Sequence, residues 1–259
     1  MAFRAFDLTG KVALITGGAS GIGYGLAEGI AQAGGTVVIW GRRSDNNLRA
    51  AELLRQHGAP VGTRAVDVSV EADVVEGIQA AVKEYGRLDA VFANAGIGRG
   101  APFVDLRTDD FRTVMGTNLE GAFWTLREGA RHMVQRAHAG DPGGSLVAVS
   151  SLATHNGAPR NQAYAASKGA LISMIKGCAV EFAPYGIRAN ALLPGWIATE
   201  MTAPVIDDPI FKTRVIPRVP MKRWGKPEDF GAIAVYLTSD ASAFHTGDSI
   251  IIDGGWALS

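Results

Sequence analysis

Cysteine is almost absent from the chain. Cys178 is the only one, so no internal disulfide framework holds the fold. It sits in LISMIKGCAV, where a thiol reads as buried packing rather than as a reactive group. A reducing cytoplasm is the expected compartment. Long apolar runs are missing too. None approaches the roughly 18 residues of a membrane-spanning helix. The start, MAFRAFDLTGKVALITGG, lacks the layout of a signal peptide. Surplus charge of either sign is also absent, because 25 basic residues balance 25 acidic ones. The expectation is no nucleic-acid partner and no basic helix for a membrane surface. Charged residues make up only 19%, too few for a charge-driven disordered chain.

What is present suits a globular core. Hydrophobic residues reach 47% of 259, and short β-branched runs alternate with longer helical stretches. KVALIT (11–16) reads as a buried strand, and GLAEGIAQA (25–33) as a helix stopped by Gly34 and Gly35. Further strands are expected at 36–40, 62–68, 88–96, 144–151, 187–195 and 248–253. Helices are expected at 46–57, 109–136, 161–183 and 227–238. Ser69 is placed to cap the helix that carries Glu71 and Asp73 in its first turn. Repeated βα units predict a parallel sheet with helices on both faces and a ligand crevice beyond the strand ends. No linker divides residues 1–259, so a single domain is expected. The stretch 196–224 has no clear period and contains four prolines. Such a stretch inside a compact domain suggests a lid.

After the first strand comes TGGASGIG, residues 16–23. Gly17, Gly21 and Gly23, with Ser20 and Ile22 between them, fall between a strand and a helix. Small residues there let the backbone approach a pyrophosphate, and the helix start supplies free amides. The second strand ends in TVVIW, then GRRSD. Gly41 occupies the place where an acid would pair with the ribose 2′-hydroxyl of NAD, and Arg42 and Arg43 follow. A missing carboxylate and two guanidiniums favour the 2′-phosphate of NADP. NAD is the alternative if Asp45 or another group takes the hydroxyl.

YAASK (164–168) places Tyr164 and Lys168 four apart, on one helix face. Taken alone the pair is as well read as helix surface. Ser151 lies 13 residues before Tyr164, and Asn118 lies in the long helix upstream.

With these residues in order, the sequence resembles the short-chain dehydrogenase/reductase family over essentially its whole length. That family has a single Rossmann-type doubly wound α/β domain of about seven strands. The resemblance makes Asn118, Ser151, Tyr164 and Lys168 the catalytic set. It assigns Asp67 and Val68 to the adenine. ANAG (93–96) matches the family's N-N-A-G signature with Ala93 in place of the first asparagine, leaving Asn94, Ala95 and Gly96 as cofactor contacts. In PGWIAT (194–199) it places Pro194, Gly195, Ile197 and Thr199 beside the nicotinamide. The chain's ending resembles members that form homotetramers.

The implied reaction interconverts a secondary alcohol and a ketone with NAD(P). Tyr164 would move the proton, its pKa lowered by the charge of Lys168. Ser151 would hydrogen-bond the substrate oxygen. Asn118 would hold a water that links Lys168 to solvent. His155 and Trp196 are candidate substrate contacts. The substrate alternatives are a 3-oxoacyl thioester and a sugar or polyol. An acidic carrier-protein partner would need a basic patch, for which Arg127, Arg131 and Arg136 are candidates. The rival reading of function is a nucleotide-sensing scaffold without catalysis.

Overall fold

The alternation of apolar side chains in each strand decides how the chain layers itself. In the computed structural model, which describes residues 4–259 apart from the Lys212 side chain, β1 (Val12–Thr16) is buried along its whole length. Val12 and Leu14 join one apolar cluster, while Ala13 and Ile15 join another on the opposite face. β2 (Thr36–Gly41) divides in the same way, with Val38 and Trp40 on one side and Val37 and Ile39 on the other. A sheet apolar on both faces must be covered on both faces, and parallel βα units do that. Met1, Ala2 and Phe3, part of the stretch read for a leader, lie outside the described residues.

The remaining strands are β3 (Val61–Ala65), β4 (Ala90–Ala93), β5 (Gly144–Val149), β6 (Ile187–Pro194) and β7 (Ser249–Ile252). All seven are parallel, in the order β3-β2-β1-β4-β5-β6-β7. This is the Rossmann-type single domain read from the sequence. The winding reverses beside β1, which pairs with β2 on one edge and β4 on the other. A crevice therefore opens beyond the ends of β1 and β4. The helices are α1 (Gly21–Gln32), α2 (Ser44–Arg55), α3 (Glu71–Tyr85), α4 (Thr108–Met115), α5 (Gly121–His138), α6 (Gln162–Phe182), α7 (Ala203–Ile206) and α8 (Gly231–Thr238). Among the described residues, none is long and apolar enough to cross a membrane.

Several local expectations change. Ser69 does not cap α3; Val70 holds that place. The Ser69 hydroxyl donates to Asp67 Oδ1 at 2.7 Å and its N–H to the same atom at 3.0 Å. That turn also ends β3 earlier than expected. The helix expected at 109–136 is interrupted by a π-helical turn, Gly116–Glu120, between α4 and α5.

At the opposite end of the sheet from the crevice, Asp89 organises the β4 entry. Its carboxylate accepts the Val12 N–H at 2.9 Å and two bonds from Arg87 at 2.9 and 2.7 Å. Arg136 of α5 reaches the same carboxylate at 3.4 Å. Next to this cluster, His132 Nε2 accepts the Leu88 N–H at 3.1 Å. That bond requires an unprotonated Nε2. Burial, and then the Arg136 charge, hold the imidazole below the usual histidine range, although Asp89 acts the other way. Below the ordinary value of about 6.5, the unfolded chain binds more protons than the folded one. This contribution to stability is present above that pH and is lost as pH falls toward the folded value. Unfolding followed at pH 7.5 and pH 5 is expected to show a larger acid loss for the native protein than for His132→Gln, whose amide oxygen keeps the acceptor without titrating. Equal losses would remove His132 from the cause.

Candidate active site

The glycine turn shapes the floor of the crevice. Gly17 sits at φ +66°, a left-handed conformation, and a Cβ there would meet Asn94 Nδ2 at 2.9 Å. A Cβ on Gly23 would lie 2.2 Å from the Gly17 carbonyl oxygen, so α1 can start this close to the turn only without a side chain. Ser20 holds the N-cap position of α1 but makes no side-chain cap bond. The amides of the first turn thus face the crevice without a capping side chain. This cradle fits a pyrophosphate, with Gly17, Ser20, Gly21 and Ile22 as its wall. Asn94 braces the turn from β4: its Nδ2 donates to the carbonyls of Thr16 and Gly17 at 2.9 and 3.3 Å. From the other side Thr199 closes in, its Cγ2 being 3.1 Å from where a Gly21 Cβ would stand.

The crevice has two lobes that meet at Gly17, Ser20, Ala95, Gly96 and Glu200. The larger, about 640 Å³, is walled by Arg42, Arg43, Asp67 and Val68, the residues expected around the adenosine. Gly41 has a reason to be glycine: a Cβ would press on Asn47 Oδ1 at 2.6 Å. Asn47 is buried, and its Nδ2 donates to the carbonyls of Gly41 and Arg64 at 2.9 and 3.1 Å. The place of the ribose-binding acid is therefore filled by a structural asparagine. Partial burial works against ionisation of Asp67, but the bonds from Ser69 and the Arg42 charge prevail and hold it below the usual carboxylate range.

The smaller lobe, about 290 Å³, collects Ser151, Tyr164 and Lys168 with Pro194, Gly195, Ile197 and Thr199. β5 ends just before Ser151, whose Oγ accepts the Ala153 N–H at 3.1 Å. Lys168 is buried, and its Nζ donates to the Val149 carbonyl at 2.7 Å while lying 5.7 Å from the centre of the Tyr164 ring. Burial pulls the Lys168 pKa down to about 8. Tyr164 departs from expectation. Burial pushes its phenol above the ordinary range, and the counteracting influence is a hydrogen bond with Ser151 rather than the charge of Lys168.

Asn118 stands behind this lobe, fully buried in the π-helical turn. Its Oδ1 accepts the Ile97 N–H at 2.8 Å, and its Nδ2 donates to the Ile97 carbonyl at 2.9 Å and to Ser167 Oγ at 3.2 Å. A Cβ on Gly96 would stand 3.3 Å from both Asn118 Oδ1 and Lys168 Nζ. Asn118 thus joins the β4 loop to α6 one residue from Lys168.

Two substrate candidates lie elsewhere. His155 is exposed, its Nδ1 3.1 Å from Thr154 Oγ1, and it does not line the smaller lobe. Trp196 is absent from that lining as well. Its ring packs edge-on against Phe211, Trp224 and Trp256 at 5.1, 6.0 and 6.1 Å. Arg99 forms an ion pair with Asp110. Met201, expected from the sequence as apolar surface of the cleft, walls the smaller lobe with Glu200 and Thr202; the sequence motifs do not single out the latter two, and their place directly after Thr199 is the available signal.

Comparison with known proteins identifies the family. A family model described as Enoyl-(Acyl carrier protein) reductase matches residues 17–257. The chain is 34% identical to a short-chain type dehydrogenase/reductase of known structure from Mycobacterium marinum, with a TM-score of 0.92 over 99% of each chain. It is 35% identical to the structure of a gluconate 5-dehydrogenase from Burkholderia cenocepacia in complex with NADP and tartrate, with a TM-score of 0.93 over 100% of each chain. It is 36% identical to an L-rhamnose 1-dehydrogenase (NAD(P)(+)) from Azotobacter vinelandii, over 96% of this chain and 97% of the relative. The chain belongs to the short-chain dehydrogenase/reductase family and is an NAD(P)-dependent oxidoreductase acting between a CH–OH group and a carbonyl.

Proposed function

We propose that Tyr164 is the general acid and base of this reaction, with Ser151, Lys168 and Asn118 as its partners. The observation that carries the reading is the meeting of Ser151, Tyr164 and Lys168 in the lobe that the glycine turn also lines. A bound nicotinamide supplies or accepts the hydride. Tyr164 gives the proton to the carbonyl oxygen, or takes it from the alcohol. Ser151 donates to that oxygen as charge develops. Lys168, with its pKa of about 8, is mostly cationic at neutral pH, and its Nζ lies 5.7 Å from the centre of the Tyr164 ring. Asn118 fixes the backbone beside Lys168 and keeps α6 in register with the β4 loop.

The favoured cofactor is NADP. Support comes from Arg42 and Arg43 on the adenosine lobe and from Asn47 in place of an acid. The gluconate 5-dehydrogenase structure contains NADP as well. For the substrate, a sugar, sugar acid or polyol fits better than a carrier-bound thioester. Arg127 pairs with Glu71 and Glu128, Arg131 with Glu128, and Arg136 with Asp89 and Asp141. No free basic patch is left on these three for an acidic carrier. Residues 196–224 act as the lid, anchored by the aromatic packing around Trp196. A homotetramer suits the exposed Phe123 of α5 and the exposed Val180 of α6, Phe244 and Leu258. A cytoplasmic setting fits the lone Cys178.

Tyr164→Phe keeps the ring and removes the proton. Its kcat on a sugar or polyol substrate, followed by nicotinamide absorbance, is expected to fall by about 10²- to 10⁴-fold. A native rate would exclude Tyr164 as the acid and base. Replacing Arg42 and Arg43 together by alanine is expected to weaken NADPH binding by about tenfold or more, with far less change for NADH. Equal losses for both cofactors would overturn the NADP preference.

A further inference from the structure

Glu200 lines both lobes of the crevice, at their junction. Its Oε2 lies 3.3 Å from Nη2 of Arg43. The partners come from different walls: Arg43 from the turn after β2, Glu200 from the loop after β6. Their side chains are 69% and 67% exposed, so the pair spans the mouth of the groove rather than its floor. Asn46, in the amide orientation that satisfies both its ends, accepts from Arg43 Nε and Nη2 at 3.1 and 3.0 Å. The guanidinium is thus aimed by a neighbour on one side and held by a carboxylate on the other.

That carboxylate occupies one of the two guanidiniums that would bind a 2′-phosphate. We propose that Glu200 sets the balance between NADP and NAD by competing with the 2′-phosphate for Arg43. The inference rests on the reading of Arg43 as a phosphate ligand. A phosphate must displace Glu200 from Arg43 or share the guanidinium with a like charge, whereas a ribose hydroxyl carries no such conflict. An exposed ion pair is worth little and is screened by salt, so the effect is a several-fold adjustment of preference rather than a switch.

The test is calorimetric titration with NADPH and with NADH. The proteins are the native chain, Glu200→Gln, Arg43→Ala and the double variant, each at low and high salt. Glu200→Gln is expected to bind NADPH about two- to fivefold more tightly at low salt, with the gain fading at high salt and NADH moving less. In the Arg43→Ala background the same change is expected to yield no gain, because the group competed for is gone. A loop merely loosened by the substitution would move both cofactors alike, which would overturn the inference. If Arg43→Ala weakens NADPH but Glu200→Gln leaves the NADPH-to-NADH ratio unchanged, the inference about Glu200 fails alone. A gain that persists without Arg43 also overturns it. If Arg43→Ala leaves NADPH binding at the native level, the phosphate reading of Arg43 fails and the inference falls with it.

Discussion

The site depends on the burial of one ammonium group. Lys168 Nζ is taken out of water at the end of β5 and keeps the Val149 carbonyl as its hydrogen-bond partner, at 2.7 Å. A buried charge with so little compensation loses its proton more readily than an exposed one, and the pKa falls to about 8. Lysine is thereby both a cation at neutral pH and a group near its titration point. The neighbours serve this arrangement. Gly96 has no side chain where one would press on Nζ, and the Ser150 hydroxyl donates to the Lys168 carbonyl at 2.8 Å.

The sheet supplies the place for that burial. Reversal of winding beside β1 opens the crevice, and Asn94 ties β4 to the glycine turn across it. Asn118 then ties the loop after β4 to α6, through Ile97 and Ser167. Its side chain can do so because the helix relaxes into a π turn, a distortion often found at functional positions. The glycine turn and the helix that carries Lys168 are thus held by two asparagines with their hydrogen bonds spent on backbone and on one serine.

Much of this is legible in the sequence because the pattern is local. The β-branched runs mark all seven strands, and the glycine spacing marks the cradle. The four-residue interval in YAASK requires a shared face. What escapes depends on tertiary contacts. The π turn is invisible to a 3.6-residue period, since Gly116 and Gly121 signal only weakness in a helix. Ser69 is an adequate cap by residue type, but Asp67 competes for its hydroxyl. Trp196 sits in a loop expected to touch substrate, yet three aromatic rings from distant positions take it up. In the sequence the pKa of Tyr164 is expected to follow from its charged neighbour, while in the folded chain desolvation dominates. Gly41 reads as a missing acid, and only the structure reveals Asn47 filling that space.

Titration of the Lys168 side chain tests the central constraint most directly. The measurement is NMR of lysine-labelled protein in the absence of ligands, with the resonance assigned through Lys168→Arg. A buried, sparsely compensated ammonium predicts a midpoint near 8. A midpoint at or above the ordinary lysine value of about 10.4 would mean that the group is solvated or paired, and would contradict burial of Lys168 as the constraint on which the site is built.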